Sequence, residues 1–148
     1  MKLAYAALGA LFLVAGCSTP TPGTIHGAAE VPGNRMFFVD TPDSEPKATL
    51  VVVRDRKGGA SVCYFNFSID GKPAAQFDPN EKAVFQLAPG EHILGLAIQK
   101  TGLCGLGQDI VEREVHLAPG AEKYYRIFFT NERVLDIVPS AAVRGASK

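Results

Sequence analysis

The segment Ser61-Val62-Cys63-Tyr64-Phe65-Asn66-Phe67-Ser68-Ile69-Asp70-Gly71 decides the fold. Successive side chains of a strand point to opposite faces, so Cys63, Phe65, Phe67 and Ile69 share one side and Tyr64, Asn66 and Ser68 the other. One face is apolar and the other is not, which is the pattern of a half-buried strand. Asp70-Gly71 then ends the run, because a two-residue hairpin turn needs positive φ and glycine accepts it without strain. A one-sided strand that enters a tight turn predicts an antiparallel sheet with a core on one face.

The neighbouring segments extend the pattern. Upstream, Ala48–Arg54 (ATLVVVR) is a nearly continuous β-branched run, expected for a strand buried on both sides or at the centre of a sandwich. Lys57-Gly58-Gly59 marks the turn between it and Ser61–Ile69. Downstream, Phe85 and Leu87 face inward on Ala83–Leu87, and Leu94, Leu96 and Ile98 on Glu91–Gln99. Val111, Val115 and Leu117 do so on Gln108–Leu117, and Tyr125, Ile127 and Phe129 on Lys123–Thr130. Val134–Val138 is the last strand. With no stretch of helical period, the chain is expected to be all-β, a single antiparallel β-sandwich of about seven strands. Leu87-Ala88-Pro89-Gly90 and Leu117-Ala118-Pro119-Gly120 are read as equivalent hairpin corners, with proline and glycine placed as in a type II turn.

The N-terminus has a different character. Behind Lys2, the apolar run Leu3–Ala15 has the length of a secretory signal core and is too short for the roughly 18 residues that span a bilayer. It ends in Leu13-Val14-Ala15-Gly16-Cys17, which resembles the bacterial lipobox. That resemblance implies cleavage before Cys17 and acylation of the Cys17 thiol and of the new amino terminus. Several acyl chains hold a protein where one binds only marginally. Ser18, rather than an aspartate, after the cysteine implies the outer membrane of a Gram-negative cell, with the domain facing the periplasm. The competing reading is an ordinary secretory signal with an incidental cysteine.

Residues 1–16 are thus expected to be signal peptide and 17–46 a lipidated, Pro/Gly-rich tether. Residues 47–140 are the sandwich and 141–148 a frayed tail. As a coil, a tether of about 30 residues has an end-to-end distance of roughly 30 Å. Within it, Met36-Phe37-Phe38-Val39 is the one apolar patch, a first edge strand or a docking segment.

Composition narrows the function classes. The chain carries 15 Lys plus Arg against 15 Asp plus Glu, and loss of the signal removes only Lys2, leaving 14 against 15. No basic stripe interleaved with aromatics is present, so no nucleic-acid partner is expected. With Cys17 acylated, Cys63 and Cys104 remain as an even pair in an oxidising compartment, and a disulfide between them is expected. Closing a loop of about forty residues stabilises a fold by on the order of 4 kcal/mol in the chain-entropy account. The other possibility is a buried core thiol at Cys63 and a free loop thiol at Cys104.

LVVVRD (50–55), FSIDGK (67–72), FQLAPGEHIL (85–94), LAPGAEKYYRIFF (117–129) and VLDIVP (134–139) occur in an order that resembles a domain-of-unknown-function family of small bacterial outer-membrane lipoproteins with a PEGA-like β-sandwich. The likeness covers residues 48–139. It implies a cell-envelope location and a binding or structural role, and it brings no catalytic residues with it.

A direct search for chemistry agrees. His26, His92 and His116 fall in the tether, after a turn and on a polar strand face. Their spacing matches neither a zinc site nor a nucleophile–base pair, and each is expected at the surface. The glycine-rich loop 101–107 lacks the Lys-Ser/Thr of a phosphate loop. Its Leu103 and Leu106 are candidate partner-contact residues, with Cys104 as the pin. The expectation is a non-enzymatic protein without catalytic residues, metal or cofactor, held at the membrane by its lipid and bound to another envelope protein. An immunity protein or an accessory subunit of a secretion system is a specific case. The alternative is a carrier of a small ligand or glycan, which requires a pocket of several hundred Å³ with polar anchors.

Overall fold

The computed structural model describes residues 23–38, 40, 46–104 and 109–144. Among them are nine strands: β1 (Ala29–Glu30), β2 (Ala48–Arg54), β3 (Phe65–Ile69), β4 (Lys72–Phe77), β5 (Glu81–Leu87), β6 (Gly90–Ile98), β7 (Val111–Leu117), β8 (Glu122–Phe129) and β9 (Leu135–Pro139). One helical turn, α1 (Ala141–Arg144), follows. The strands form two sheets, one ordered β1-β5-β2-β8-β9 and the other β4-β3-β6-β7. The result is an all-β sandwich, as the alternation in Ser61–Ile69 predicts.

The core lies between the sheets. Leu50 and Val52 of β2, Phe85 of β5 and Ile127 of β8 meet Phe65 and Phe67 of β3, Leu94 and Leu96 of β6 and Leu117 of β7. Phe67 stacks on Phe85 at 5.6 Å between ring centroids and meets Phe77 edge-on at 5.9 Å. Burial of each such side chain contributes about 1.5–3 kcal/mol, which makes this layer the main source of stability. The inward residues predicted on β5 and β6 are all buried, whereas Val111 and Phe129 are partly so.

Pairing departs from a wholly antiparallel plan in two places. β2 runs parallel to β8, from Thr49 opposite Glu122 to Arg54 opposite Ile127, and β1 runs parallel to β5. Parallel neighbours need a long crossover, and the chain between β2 and β8 supplies one by passing through the opposite sheet. Asp70 and Gly71 both take positive φ, 52° and 74°, and form the predicted β3–β4 hairpin. The two Leu-Ala-Pro-Gly corners are equivalent but are not hairpins. Each carries the chain from one sheet to the other, β5 to β6 and β7 to β8.

β4 is the strand that alternation does not reveal. Its Pro73 suits an edge, where a missing N–H costs no ladder bond. The register shift opposite Phe67/Ser68 places Ala74 and Ala75 both in the interior.

Two further corrections concern the ends. The tether expected over 17–46 is docked on the sandwich from Gly23 to Phe38, and the tail expected from 141 begins with an ordered turn. Ile25 and Ala28 from the first and Val143 from the second pack on Val51 and Val53, making a second small core on the outer face of β2. The Ile25 N–H donates to the Val143 carbonyl at 2.9 Å, and the Lys82 ammonium donates to the Ile25 carbonyl at 2.6 Å. These segments are why ATLVVVR is buried on both sides.

Candidate functional site

Towards the loop end, the outward positions of the four-stranded sheet carry small or polar residues: Asn66 and Ser68 on β3, Gly95 and Ala97 on β6, Gln76 on β4, with the exposed Ile93 of β6 beyond them. A Cβ at Gly95 would meet the Ser68 hydroxyl and displace it, so glycine leaves this floor flat. Phe37 on one side and Ile110 on the other rise beside it, 45% and 65% exposed. Together they bound an open groove of about 600 Å³. Gln76 Nε2 donates to Asn66 Oδ1 at 3.0 Å, placing an amide pair beside the Ser68 hydroxyl in the groove.

The Phe37 wall is fixed by the strap that precedes it. Phe37 and Phe38 both donate their N–H groups to the Ala74 carbonyl, Met36 bridges to Ala75, and the Phe38 ring meets Phe85 edge-on at 5.5 Å. Arg35 anchors the strap across the gap between the sheets. Its guanidinium grips both Glu81 oxygens, at 2.8 and 2.6 Å, and donates to the Gln76 carbonyl of β4. Glu81 Oε2 also accepts the Asp78 N–H, so the carboxylate is fully used. The Arg35 pKa is raised, chiefly by the Glu81 hydrogen bond, against the opposing effect of burial.

A second cationic anchor holds the loop end of the sandwich. Arg54, at the end of β2, is buried over the Phe65 ring at 3.6 Å. It donates to the carbonyls of Cys63, Phe77 and Ala60 at 2.6, 2.8 and 2.9 Å. Desolvation lowers its pKa to about 10, with Asp78 and Glu81 opposing the fall. Beside it, the buried Asp55 pairs with Arg126. Burial raises the Asp55 pKa, and the Arg126 contacts and the Gly23 N–H offset part of that rise.

His92 is held rather than free at the surface. Its Nδ1 meets Asp70 Oδ2 at 2.7 Å and its Nε2 the Ala88 carbonyl at 2.9 Å, while the Ile93 N–H donates to Asp70 Oδ1. Burial disfavours the imidazolium, but the bonds to Asp70 and Ala88 outweigh it and raise the pKa above 6.5. Both contacts are to oxygen acceptors, so the protonated ring can donate to both at once. The pair latches the β3–β4 turn to the β5–β6 corner. Its two halves are visible in sequence as Asp70-Gly71 and Gly90-Glu91-His92, but only the fold joins them. His26 and His116 are exposed.

Cys63 and Cys104 are bonded, their Cα atoms 5.7 Å apart. Leu103, in a 3₁₀ turn beside Cys104, is 91% exposed. It lies on the loop end, away from the groove floor. Cys17 and Leu106 fall outside the described residues. Sequence reasoning missed the groove because its floor is assembled from three strands and its walls from the strap and the entry to β7. No group of His, Cys, Asp and Glu among the described residues is arranged to hold a metal ion. Neither a scan against protein-family models nor a search of curated proteins finds a match for this chain.

Proposed function

We propose that this is a lipid-anchored protein of the bacterial cell envelope, held at the outer membrane through Cys17, whose sandwich binds another envelope component without catalysis. The observation that carries this reading is the groove between Phe37 and Ile110. Its large apolar walls stand exposed over a floor kept flat by Gly95 and Ala97. Apolar surface shaped this way on a folded domain serves contact with a partner. Ala97→Arg would fill the floor from a partly exposed position without entering the core. The expected outcome is that a protein co-purified with the lipidated wild type from its own membranes is lost with Ala97→Arg and kept with Val84→Arg. Equal recovery with both variants would contradict the reading.

A second reading is favoured by the Asn66–Gln76 amide pair. Polar anchors in a trough of several hundred Å³ also suit a small apolar ligand or a glycan. Native mass spectrometry of protein purified from its membranes separates the two, since a bound small molecule adds a discrete mass that Ala97→Arg removes.

A further inference from the structure

The docked strap limits how far the domain can stand from its anchor. Gly23 is buried against β2, where an added Cβ would meet Val53 Cγ1 at 2.6 Å and the Arg54 carbonyl at 2.9 Å, and its N–H bonds to Asp55. The anchored part of the chain therefore starts at the C-terminal end of β2. That end carries the loops 55–64, 78–80 and 130–134 and the segment 99–104 that follows β6. From Cys17 to Gly23 a fully extended chain covers at most about 20 Å. Gly23 contacts Val53 and Arg54, and the opposite end of β2 lies about 17–20 Å further along the strand, so the loop end is the end nearer a surface at which Cys17 is held.

The loop end is also chemically distinct. Val62 and Leu103, each next to a cysteine of the disulfide, are 85% and 91% exposed, and Val134 on the adjacent turn is 50% exposed. Exposed Arg56, Lys57, Lys100 and Arg133 surround them, against exposed Asp109 and Glu132. At the other end the turns Asp70-Gly71, Pro89-Gly90 and Pro119-Gly120 carry no large apolar side chain of their own, and the nearest, Ile93 and Phe37, are only 40% and 45% exposed. Short chain reach, apolar tips and surplus positive charge thus coincide on one end.

From this coincidence we infer that the disulfide-bearing loop end is a membrane-contact face, seating Val62, Leu103 and Val134 at the headgroups of anionic phospholipid. The face deepens the proposed function and rests on acylation of Cys17. It orients the groove side-on to the membrane, where a neighbouring protein can enter it. Lysine and arginine supply attraction to the anionic surface, and the apolar tips insert at its boundary.

The chain has no tryptophan, so Leu103→Trp and Pro119→Trp are each single-tryptophan reporters. The lipidated full-length product is placed in phosphatidylglycerol-rich vesicles containing brominated acyl chains. Leu103→Trp is expected to be quenched and blue-shifted and Pro119→Trp to be neither. The mature chain lacking acyl groups should bind the same vesicles at least roughly thirtyfold more weakly after Arg56→Glu with Lys57→Glu. An unquenched Leu103→Trp in protein of verified acylated mass overturns the face and leaves the anchor standing. Leu103→Trp shielded only in native membranes, and not in protein-free vesicles, also overturns it in favour of a protein contact. An unmodified Cys17 by mass overturns the anchor instead. The face is then tested by coupling the Cys17 thiol to a maleimide lipid, where absence of quenching rejects it.

Discussion

The two outer faces of the sandwich are built from strands of similar length, yet one is closed and the other open. On the five-stranded sheet, Val51 and Val53 point outward and are covered by Ile25, Ala28 and Val143. On the four-stranded sheet, Ser68, Gly95 and Ala97 occupy the corresponding outward positions, and no described segment lies over them. At the centre of the sheet the outward valines of β2 are covered, although Val84 beside them on β5 stays 45% exposed, whereas small outward residues leave a floor. The difference separates the face that stabilises the fold from the face available for binding.

The most severe way to break this contrast is to place a charge on each face. Val53→Asp buries an unpaired carboxylate in the second core and is expected to cost about 4 kcal/mol or more. Ala97→Asp on the open face should stay within about 1 kcal/mol. Urea denaturation of the two variants reads the comparison directly, and similar midpoints would abolish it.

Releasing the strap should come next in size. Arg35→Ala leaves Glu81 without its partner across the sheet gap, at an expected cost of about 3 kcal/mol. Because the same strap carries Ile25 and Phe37, the loss should uncover the second core and remove one groove wall together. Hydrogen exchange is expected to rise at the Ile25 amide, which bonds Val143 over the second core, as well as at the Phe37 and Phe38 amides, which bond Ala74. A rise at Phe37 and Phe38 alone would mean that the two faces do not share the strap.

Reduction of Cys63–Cys104 should lower stability by about 2–4 kcal/mol while leaving the groove floor intact, since the bond closes the loop end and not the sheet face. Heteronuclear spectra before and after reduction check it, with shifts expected in 55–64 and 99–104 and not at Ser68 or Gly95.

The smallest effect is a pH dependence from the Asp70–His92 latch. The raised His92 pKa means its contribution is complete below the unfolded value of 6.5 and fades as pH rises through the folded value. The Asp70 carboxyl is pushed the other way. Its own burial opposes the shift, but the bonds from His92 and the Ile93 N–H keep its pKa below 3.8. Its contribution is therefore present above 3.8 and is lost as pH falls through the lowered value. Solvent screening at the half-exposed Asp70 keeps the effect under about 1 kcal/mol. Stability of the wild type should decline above pH 6.5 relative to His92→Gln, and parallel curves would show that the latch is silent.

The strands were legible where burial is one-sided or complete. Phe65, Phe67 and Ile69 alternate because β3 faces one core, and ATLVVVR is continuous because β2 faces two. What covers the second core was not legible. Ile25, Ala28 and Val143 have no period, being held by isolated backbone bonds and by the Arg35–Glu81 pair, whose partners are 46 residues apart. β4 was hidden by Pro73 and by the bulge that turns Ala74 and Ala75 inward together. The groove was hidden for the same reason as the parallel β2–β8 pair, since strand neighbours in this sandwich are distant in sequence.

Whether the open face meets a partner in the envelope, as proposed, is read by site-specific photocrosslinking in intact cells, with the reactive side chain at Ala97 or at Val84, an exposed position on β5 of the five-stranded sheet. A discrete crosslinked species from position 97 and none from position 84 is the predicted result. The same species from both positions, or from 84 alone, would contradict the account.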